Sequence, residues 1–557
     1  MAVSGKHPNS ERIIPALPGL LILLTAFLVL YEPWLLGLKD FFRQEGFYTA
    51  IAQEMDPPLL LCSAHGQAVT NAFPFFPMLG SLLLRATGLD TLFALRLVSV
   101  TMTLLSGVLI LLSVWRARNF TAAAMAAAMF WGGNLVIEKS QDGYPTTCVM
   151  FGLLSAQLLW LYIGQKRGRW NLAWLLSLAV LALTFLAGGF MALVLFFFPM
   201  IFLRRPLTLR GKLSKPGMLI GLAVLTGTVL MWLMPYHIFS AQMPIRHWQP
   251  DWELTKYLRH LAEFPLDFAV RFLPWALFAW APFCVALQTQ DPTPIFSKYL
   301  RTLTAATFCL LWLLPDTEAH DLLFLAAPLS MLCGMYYEPA VTRYAPRLRW
   351  IVTYGGAGFI FVAAMALLLF CVLPETVLNM VVKLHESIDF RCDLTYRIAA
   401  LAGGIAMLSG AGWLFFGDRQ KPLWLCLLIV VLAGGMFYYM AMFPYRIRNQ
   451  ETRQMAQTLA RVLDQDRPNA AAPAPVYKFN ISDLYGECSL LNARIRKIAS
   501  LEELPDNEEV VYLLSTEFPQ LPERNWTNVL PQDQTYRERR ICFWKGVLRR
   551  EDRGVTP

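Results

Sequence analysis

The chain contains few charged residues. Asp, Glu, Lys and Arg make up 16% of its 557 residues, whereas soluble proteins carry roughly a quarter. Hydrophobic residues make up 56%. This composition excludes an ordinary soluble protein and predicts an integral membrane protein. We therefore attribute the formal net charge of +9 to loops that meet anionic membrane lipids, and expect no nucleic-acid partner.

The sequence also lacks the motifs of nucleotide-driven and zinc-dependent chemistry. It contains no Walker A loop, no GxGxxG at a strand–helix turn and no HExxH. Its ten cysteines show neither CxxC nor cysteine–histidine metal spacing. Cys488 and Cys542 could form a disulfide only if their region is extracytoplasmic, and the alternative is a pair of free thiols.

Long apolar runs are abundant, and about 20 apolar residues span a bilayer. They predict an all-α polytopic membrane protein with about 13 transmembrane helices. The loops on one side are short and rich in Lys and Arg, which predicts a cytoplasmic N-terminus. The predicted spans are 13–31, 92–114, 119–137, 144–163, 171–187, 189–203, 217–236, 271–288, 302–315, 321–338, 351–373, 396–416 and 423–443.

The composition becomes polar near Phe443. We expect a transmembrane domain over residues 1–443, with a first extracytoplasmic loop at 32–91, followed by a small extracytoplasmic α/β domain over 444–557. RIRNQETRQMAQTLARVLDQ predicts an amphipathic helix. PVYKFN, EVVYLLS and RICFWKG predict strands, and SDLYGECSLLNARIRKI, between the first two strands, is predicted to be helical.

The segment RQEGFYTAIAQEM, Arg43 to Met55, follows the first apolar run. Phe47, Ile51 and Met55 share one face, which predicts an amphipathic helix on the membrane surface. Glu45 begins this helix, where the helix N-terminus favours the anionic form of its carboxyl group. Glu45 is therefore either a catalytic base or a first-turn residue that only supports the helix dipole.

A polar turn interrupts the apolar runs at EKSQDGYP, Glu138 to Pro145. Lys139 can hold a phosphate, and Asp142 can orient a substrate hydroxyl or accept its proton. The alternative is a solvated hairpin turn in which Asp-Gly is only turn chemistry. Because ionisable groups at the ends of membrane spans are costly, the turn is a candidate site.

Three further polar residues lie at predicted outer positions. His320 belongs to PDTEAHD, which is either a metal or phosphate site or a polar turn. Arg246 belongs to the loop 237–270 and either contacts a lipid phosphate or anchors the chain at the interface. Arg96 lies about one turn inside the second span, where it either reaches outward to water or pairs with an acid.

Together these segments resemble those of the GT-C membrane glycosyltransferases related to the lipid A aminoarabinose transferase and the protein O-mannosyltransferases. The resemblance covers most of the chain, including the number of spans and the C-terminal α/β domain. The order and spacing of the motifs carry it, rather than any single motif. The matching segments are QEGFYTAIAQEM, GLDTLFALRLVSV, the aspartate of SQDGYPTT, FLPWALF and HDLLFLAAPLSML.

The resemblance implies a bacterial inner-membrane enzyme that transfers a sugar, with inversion, from a polyprenyl phosphate to an acceptor outside the cytoplasmic membrane. The acceptor class is a lipid, a glycan or a protein. A divalent metal that neutralises the lipid phosphate is left open. The implied site consists of the catalytic residues Glu45 and Asp142 and the substrate-binding residues Gln44, Tyr48, Lys139, Arg246 and His320.

Three positions depart from the family pattern. Gln44 stands where the family usually has Asp or Glu, Ala72 stands near a family Lys, and Ala187–Gly189 replaces a frequent Lys-Gly. A changed donor or a degenerate homologue would both explain these losses. The missing acid at Gln44 favours a second hypothesis, a catalytically silent homologue that binds a polyprenyl lipid or partners an active transferase. A secondary transporter ranks last, because the spans contain few ionisable residues and no evident two-fold pattern.

Overall fold

The structure is a computed structural model. Its described residues belong to two compact units, one within Met1–Lys39, Arg96–Met231 and Trp248–Asn449, and one within Asp40–Leu95, Trp232–His247 and Gln450–Pro557. The structure describes residues 16–42, 44–55, 60–204, 206–239, 253–315, 317–372, 394–416, 422–442, 450–466, 474–481, 484–491, 493–505, 508–521, 523–530, 535–536 and 539–548.

Helices form most of the described chain. The helices are Ala16–Tyr31, Glu45–Glu54, Phe75–Thr87, Thr91–Ala117, Phe120–Trp131, Asn134–Ser140, Thr146–Leu161, Trp170–Phe202, Leu209–Leu213, Pro216–Phe239, Leu254–Arg271, Val285–Gln288, Pro294–Leu313, Leu323–Trp350, Gly356–Val372, Leu394–Phe416, Leu423–Phe437, Glu451–Asp466 and Tyr485–Ser489. Short 3-10 turns lie at Pro33–Leu35, Trp275–Phe278, Ala281–Phe283 and Leu501–Glu503, and π turns at Tyr162–Lys166, Ile351–Gly355 and Tyr438–Met442.

Eight helical stretches in the described part of the chain are long and apolar enough to cross a membrane. A ninth results if Phe120–Trp131 and Asn134–Ser140, which meet at a bend of 54°, count as one span. The polytopic helical fold is therefore confirmed, whereas the predicted count of 13 spans is not. The stretches are Ala16–Leu35, Thr91–Ala117, Thr146–Lys166, Trp170–Phe202, Pro216–Pro235, Leu323–Leu369, Arg397–Phe416 and Leu423–Met440.

The predicted spans 171–187 and 189–203 correspond to two helices that meet at Gly189 within Trp170–Phe202. Trp170–Phe202 runs for 33 residues, and only Gly189 departs from helical geometry, with φ 61° and ψ −148°. No polar residues separate the two runs, so the sequence supplies a kink rather than a loop. The kink uses glycine because a residue with a Cβ rarely adopts this positive φ.

The predicted span 271–288 is wrong. This segment forms the turns Trp275–Phe278 and Ala281–Phe283 and the four-residue helix Val285–Gln288. Pro274 and Pro282 lack the amide hydrogen that a continuous helix would donate, which favours a break in the helix here. Apolar content alone therefore overestimated the number of spans.

Small residues bring two helices of the first unit close together. Gly334, in Leu323–Trp350, faces Ala126, in the alanine-rich helix Phe120–Trp131. A Cβ at position 334 would lie 2.6 Å from both the backbone N and the Cα of Ala126. Close approach through small residues is the usual basis of helix packing within membranes.

We expect Gly334→Ala to lower the stability of the folded chain, because the added methyl group meets backbone that cannot move aside. Overpacking of this kind costs about 1–3 kcal/mol. Gly358→Ala is the matched control, since nothing lies within 4 Å of a Cβ at that helical position. The melting temperatures of both full-length variants in one detergent provide the measurement. Equal melting temperatures would contradict the close packing at Gly334.

The second unit contains a five-stranded mixed sheet. We number the strands β1 Ser63–Ala64, β2 Gln67–Ala68, β3 Ala474–Phe479, β4 Ala493–Ile498, β5 Val510–Ser515, β6 Arg524–Asn528, β7 Thr535–Tyr536, β8 Arg539–Arg540 and β9 Cys542–Leu548. The sheet order is β4-β3-β5-β9-β6, in which β3 is parallel to β4 and β5 and β9 is antiparallel to β5 and β6. One face packs on the helix Glu451–Asp466 through Leu459, Val476, Tyr512 and Phe543.

The helix predicted over SDLYGECSLLNARIRKI is only partly correct. Tyr485–Ser489 is helical, but ARIRKI forms β4 at the edge of the sheet. Arg494 and Arg496 are exposed and alternate with the less exposed Ile495 and Lys497, which is the period of a strand. The basic residues suit an edge strand, because charge there discourages pairing with another chain.

Two cysteines of the second unit are free and buried. Cys488 lies in the short helix Tyr485–Ser489, and Cys542 begins β9. The disulfide that the sequence left open between them is therefore absent. Burial raises the pKa of the Cys488 thiol to about 12, so this cysteine is a packing residue rather than a reactive thiol.

Candidate functional site

A cluster of charged side chains lies at the end of the bent helix pair in the first unit. The short helix Asn134–Ser140 places Glu138 and Lys139 at its C-terminal end. Lys139 Nζ lies 2.7 Å from Glu138 Oε1, and Arg271 Nη1 lies 3.6 Å from Glu138 Oε2. Arg271 is also held by Asp267, with Nε and Oδ1 2.7 Å apart. Glu138 thus brings two cations together at one point.

Asp142 and His320, which are far apart in the sequence, meet in the same unit. His320 Nε2 lies 3.5 Å from Asp142 Oδ2, and both residues are only 3% exposed. The Tyr144 ring packs on His320 with ring centroids 4.2 Å apart. The solvated hairpin turn considered for Asp142 is therefore wrong, because the aspartate is buried beside an imidazole. A buried carboxylate with a polar partner is a candidate for proton transfer.

A second polar network in this unit was not recognised from the sequence. The buried Lys39 donates to Gln141 Oε1. Gln141 Nε2 donates to the Tyr439 hydroxyl at 2.7 Å, and that hydroxyl donates to the Leu30 carbonyl oxygen at 2.6 Å. Lys39 also lies 5.9 Å from the centre of the Tyr438 ring. The sequence signal for this network is a lone lysine between the first apolar run and the helix that begins at Glu45.

Arg96 supports the position of Lys39. Its Nη1 donates to the carbonyl oxygens of Leu36 and Lys39 at 2.7 and 2.9 Å. The side chain is buried, so the predicted outward reach to water is wrong. Two carbonyl acceptors replace water around this guanidinium, as the cost of burying a charged group requires.

A large cavity in the first unit includes one carboxylate of the cluster in its wall. Its volume is about 510 Å³, within the range of ligand pockets. Most of the wall is apolar, so the cavity is suited to a hydrocarbon chain with a charged group at one end. The lining residues are Gly132, Asn134, Ile137, Glu138, Val270, Leu273, Pro274, Leu277, Ile351, Val352, Gly355, Gly356, Phe359, Leu427, Val430, Val431, Gly434, Gly435, Phe437 and Tyr438.

The predicted helix around Glu45 forms in the second unit, over Glu45–Glu54 with Gln44 as its exposed N-cap. Glu45 is completely buried, and its Oε2 accepts a hydrogen bond from the Phe42 amide at 2.8 Å. Tyr48 is buried and packs edge-on against Phe76. Glu45 was expected on the solvated polar face of this helix, but its side chain is not exposed to solvent. By accepting this backbone N–H, Glu45 also holds the chain at the start of its helix.

A glycine allows this helix to pack closely within the second unit. A Cβ at Gly46 would lie 2.3 Å from the backbone N of Gly486, in the short helix Tyr485–Ser489. His65, in the tight turn between β1 and β2, stacks on Tyr485 with ring centroids 5.0 Å apart. Burial and the charges of Lys478 and Lys497 lower the pKa of His65 to about 3, so it is neutral at physiological pH.

The turn PDTEAHD contributes His320 to the first unit. Asp321 Oδ2 accepts the Glu318 amide at 3.0 Å, and burial raises the pKa of Asp321 to about 6. Among the residues that the structure describes, no three His, Cys, Asp or Glu side chains converge to hold a metal ion. Arg246, the remaining predicted substrate contact, lies outside the described residues, as does Asp316.

No protein-family model matches the sequence, and no curated protein matches it. Solved structures do match. The crystal structure of ArnT from Cupriavidus metallidurans bound to undecaprenyl phosphate has a TM-score of 0.69 at 15% identity, covering 95% of this chain and 98% of that one. The apo structure of the same protein has a TM-score of 0.67 at 15% identity, covering 94% and 97%.

The chain has the GT-C glycosyltransferase fold. The family resemblance read from the motifs is thus confirmed at the level of fold, over nearly the whole of both chains. The chain carries Asp142, Lys139 and His320 in one unit and Gln44, Glu45 and Tyr48 in the other.

Proposed function

We propose that this chain transfers a sugar from a polyprenyl-phosphate donor to a lipid, glycan or protein acceptor on the extracytoplasmic face of the bacterial inner membrane. The observation that carries the proposal is the buried pair of Asp142 and His320, in the same unit as an apolar cavity that Glu138 lines. A GT-C fold similar to that of a protein bound to undecaprenyl phosphate supports the same class of lipid here.

The proposed reaction is a single displacement with inversion at the anomeric carbon. The bond from that carbon to the phosphate oxygen breaks, and a bond to the acceptor oxygen forms. The acceptor proton passes to a carboxylate, for which Asp142 and Glu45 are the candidates. The polyprenyl phosphate leaves with its bonding electrons, and no external oxidant or reductant is needed.

Lys139 and Arg271 are the proposed phosphate contacts in the first unit. Both are held by Glu138, which lines the apolar cavity. A cation fixed in place before the reaction stabilises charge that develops on the leaving phosphate. The isoprenoid chain would occupy the apolar part of the cavity. Arg246, His320, Gln44 and Tyr48 remain proposed substrate contacts.

The decisive test compares cells with and without the gene by mass spectrometry of their lipids and envelope glycans. We expect loss of one sugar-modified product and accumulation of a sugar-linked polyprenyl phosphate. The purified chain in lipid nanodiscs should then transfer that sugar from the identified donor. Unchanged lipids and glycans, together with no transfer in nanodiscs, would reject the enzymatic proposal.

A catalytically silent homologue is the second candidate. The exposed amide of Gln44, at a position where the family usually has an acid, favours it. This candidate predicts that the wild-type chain binds undecaprenyl phosphate without turnover, and that Gln44→Asp creates turnover. Robust transfer by the wild-type chain would eliminate it.

A further inference from the structure

Three cations surround one aromatic ring at the end of a membrane helix. The charged groups of Arg116, Lys166 and Arg167 lie 5.4, 5.3 and 6.0 Å from the centre of the Tyr162 ring. All three cationic side chains are exposed, and the tyrosine is half-buried. We name these four residues the Tyr162 basic cluster. It lies in the first unit, and the proposed transfer reaction does not use it.

Local helical geometry produces the cluster. The helix Thr146–Leu161 continues as a π turn over Tyr162–Lys166. Hydrogen bonding from residue i to i+5 widens the turn, so that Lys166 and Arg167 both return to the ring of Tyr162. The positive φ of Gly168 then reverses the chain, and the Arg169 amide donates to the Ile163 carbonyl oxygen at 3.3 Å. Arg116 comes from the last turn of Thr91–Ala117.

The positive charge of the cluster is not balanced by carboxylates of the described chain. Among the described residues, none of its three cations forms an ion pair. Arg118, only two residues beyond Arg116, shows the contrast, since its Nε lies 3.5 Å from Glu338 Oε2. A tyrosine ring has only two faces, and an exposed cation–π contact is weak. One ring cannot compensate three positive charges, so the cluster is a favourable site for a bound anion.

The surroundings identify the anion as a lipid headgroup. Trp115 precedes Arg116 and is 40% exposed, and Trp170 begins the next apolar helix, Trp170–Phe202. Tryptophan and tyrosine concentrate at the depth of lipid headgroups, and basic pockets between membrane helices bind acidic phospholipids. We propose that the Tyr162 basic cluster binds the phosphate of an anionic membrane phospholipid. This inference does not depend on the proposed transfer activity.

The test measures phospholipid binding to the delipidated full-length chain by native mass spectrometry. Phosphatidylglycerol is the probe, and phosphatidylcholine, which has no net charge, is the reference lipid. We expect the wild-type chain to prefer phosphatidylglycerol. The triple variant Arg116→Gln, Lys166→Gln, Arg167→Gln should weaken phosphatidylglycerol binding by about tenfold or more, because several phosphate contacts are lost together.

A matched triple variant removes equal charge from another basic loop. Arg204→Gln, Arg210→Gln and Lys215→Gln should leave the preference for phosphatidylglycerol nearly unchanged. If both triple variants lose phosphatidylglycerol binding equally, the loss reflects net charge rather than a specific site, and the proposal is overturned. Displacement of the lipid by millimolar inorganic phosphate would also overturn it, in favour of a free-phosphate site.

A second variant guards against misfolding. If the triple variant melts well below the wild-type chain, the test uses the double variant Lys166→Gln, Arg167→Gln instead. This variant changes only two exposed side chains and keeps Arg116. This double variant should still weaken phosphatidylglycerol binding severalfold. Wild-type affinity in a well-folded double variant would contradict the proposal.

Discussion

Replacement of Asp142 by asparagine will lower the rate of sugar transfer by about 10²- to 10⁴-fold, the usual contribution of a general acid or base. Asparagine has nearly the shape of aspartate, so the packing beside His320 and Tyr144 should survive. What is lost is the negative charge and the ability to accept a proton. The measurement is transfer by the purified variant in nanodiscs, with its melting temperature determined in parallel.

A matched control separates this effect from the general loss of a hydrogen-bonded carboxylate. Asp291 in the same unit accepts hydrogen bonds from the Tyr336 hydroxyl at 2.8 Å and from the Thr293 amide at 2.9 Å. Asp291→Asn therefore makes the same chemical change among different partners and should keep near-wild-type transfer. If Asp142→Asn folds normally and transfers sugar at the wild-type rate, Asp142 has no role in the chemistry.

Replacement of Glu45 by glutamine will also lower transfer by about 10²- to 10⁴-fold if its carboxylate is a base. The amide oxygen of glutamine can still accept the Phe42 N–H, so the local hydrogen bond should remain. Glu45→Ala removes that acceptor as well. Leaving a buried donor unsatisfied costs about 1–3 kcal/mol, so the alanine variant should also melt at a lower temperature.

The helix that contains Glu45 offers its own control. Glu54, its last residue, accepts the Gly66 amide at 3.1 Å and is exposed. Glu54→Gln should therefore leave both transfer and stability unchanged. If Glu45→Gln behaves like Glu54→Gln while Glu45→Ala is destabilised, Glu45 only holds the start of the helix. Asp142 would then be the remaining candidate base.

The pattern of apolar residues predicted the class of fold but not its details. Uninterrupted runs such as that of Ala16–Tyr31 predicted helices correctly, because about 20 apolar residues suffice to span a bilayer. The same criterion failed at 271–288, where prolines divide the run into short turns. It succeeded at 171–203, where two helices meet at Gly189, between the two predicted spans. A criterion that measures only hydrophobicity does not detect where prolines break an apolar run into turns.

The candidate site could be predicted only in part. Asp142, Lys139 and His320 were selected because polar residues at the ends of apolar runs are costly. No pattern in the sequence pairs Asp142 with His320, and none draws attention to Lys39 or Gln141. In the C-terminal region, ARIRKI was assigned to a helix because its strand period is short, and pairing with β3 decides its structure.

The sequence by itself determined that this is a polytopic helical membrane protein with a small mixed α/β region, because hydrophobic runs and local periodicity depend only on neighbouring residues. Only the tertiary structure decided which polar groups meet. The pairs Asp142–His320 and Lys39–Gln141 join residues more than a hundred positions apart. Helix packing fixes those contacts, since no local rule relates residues so distant in the chain.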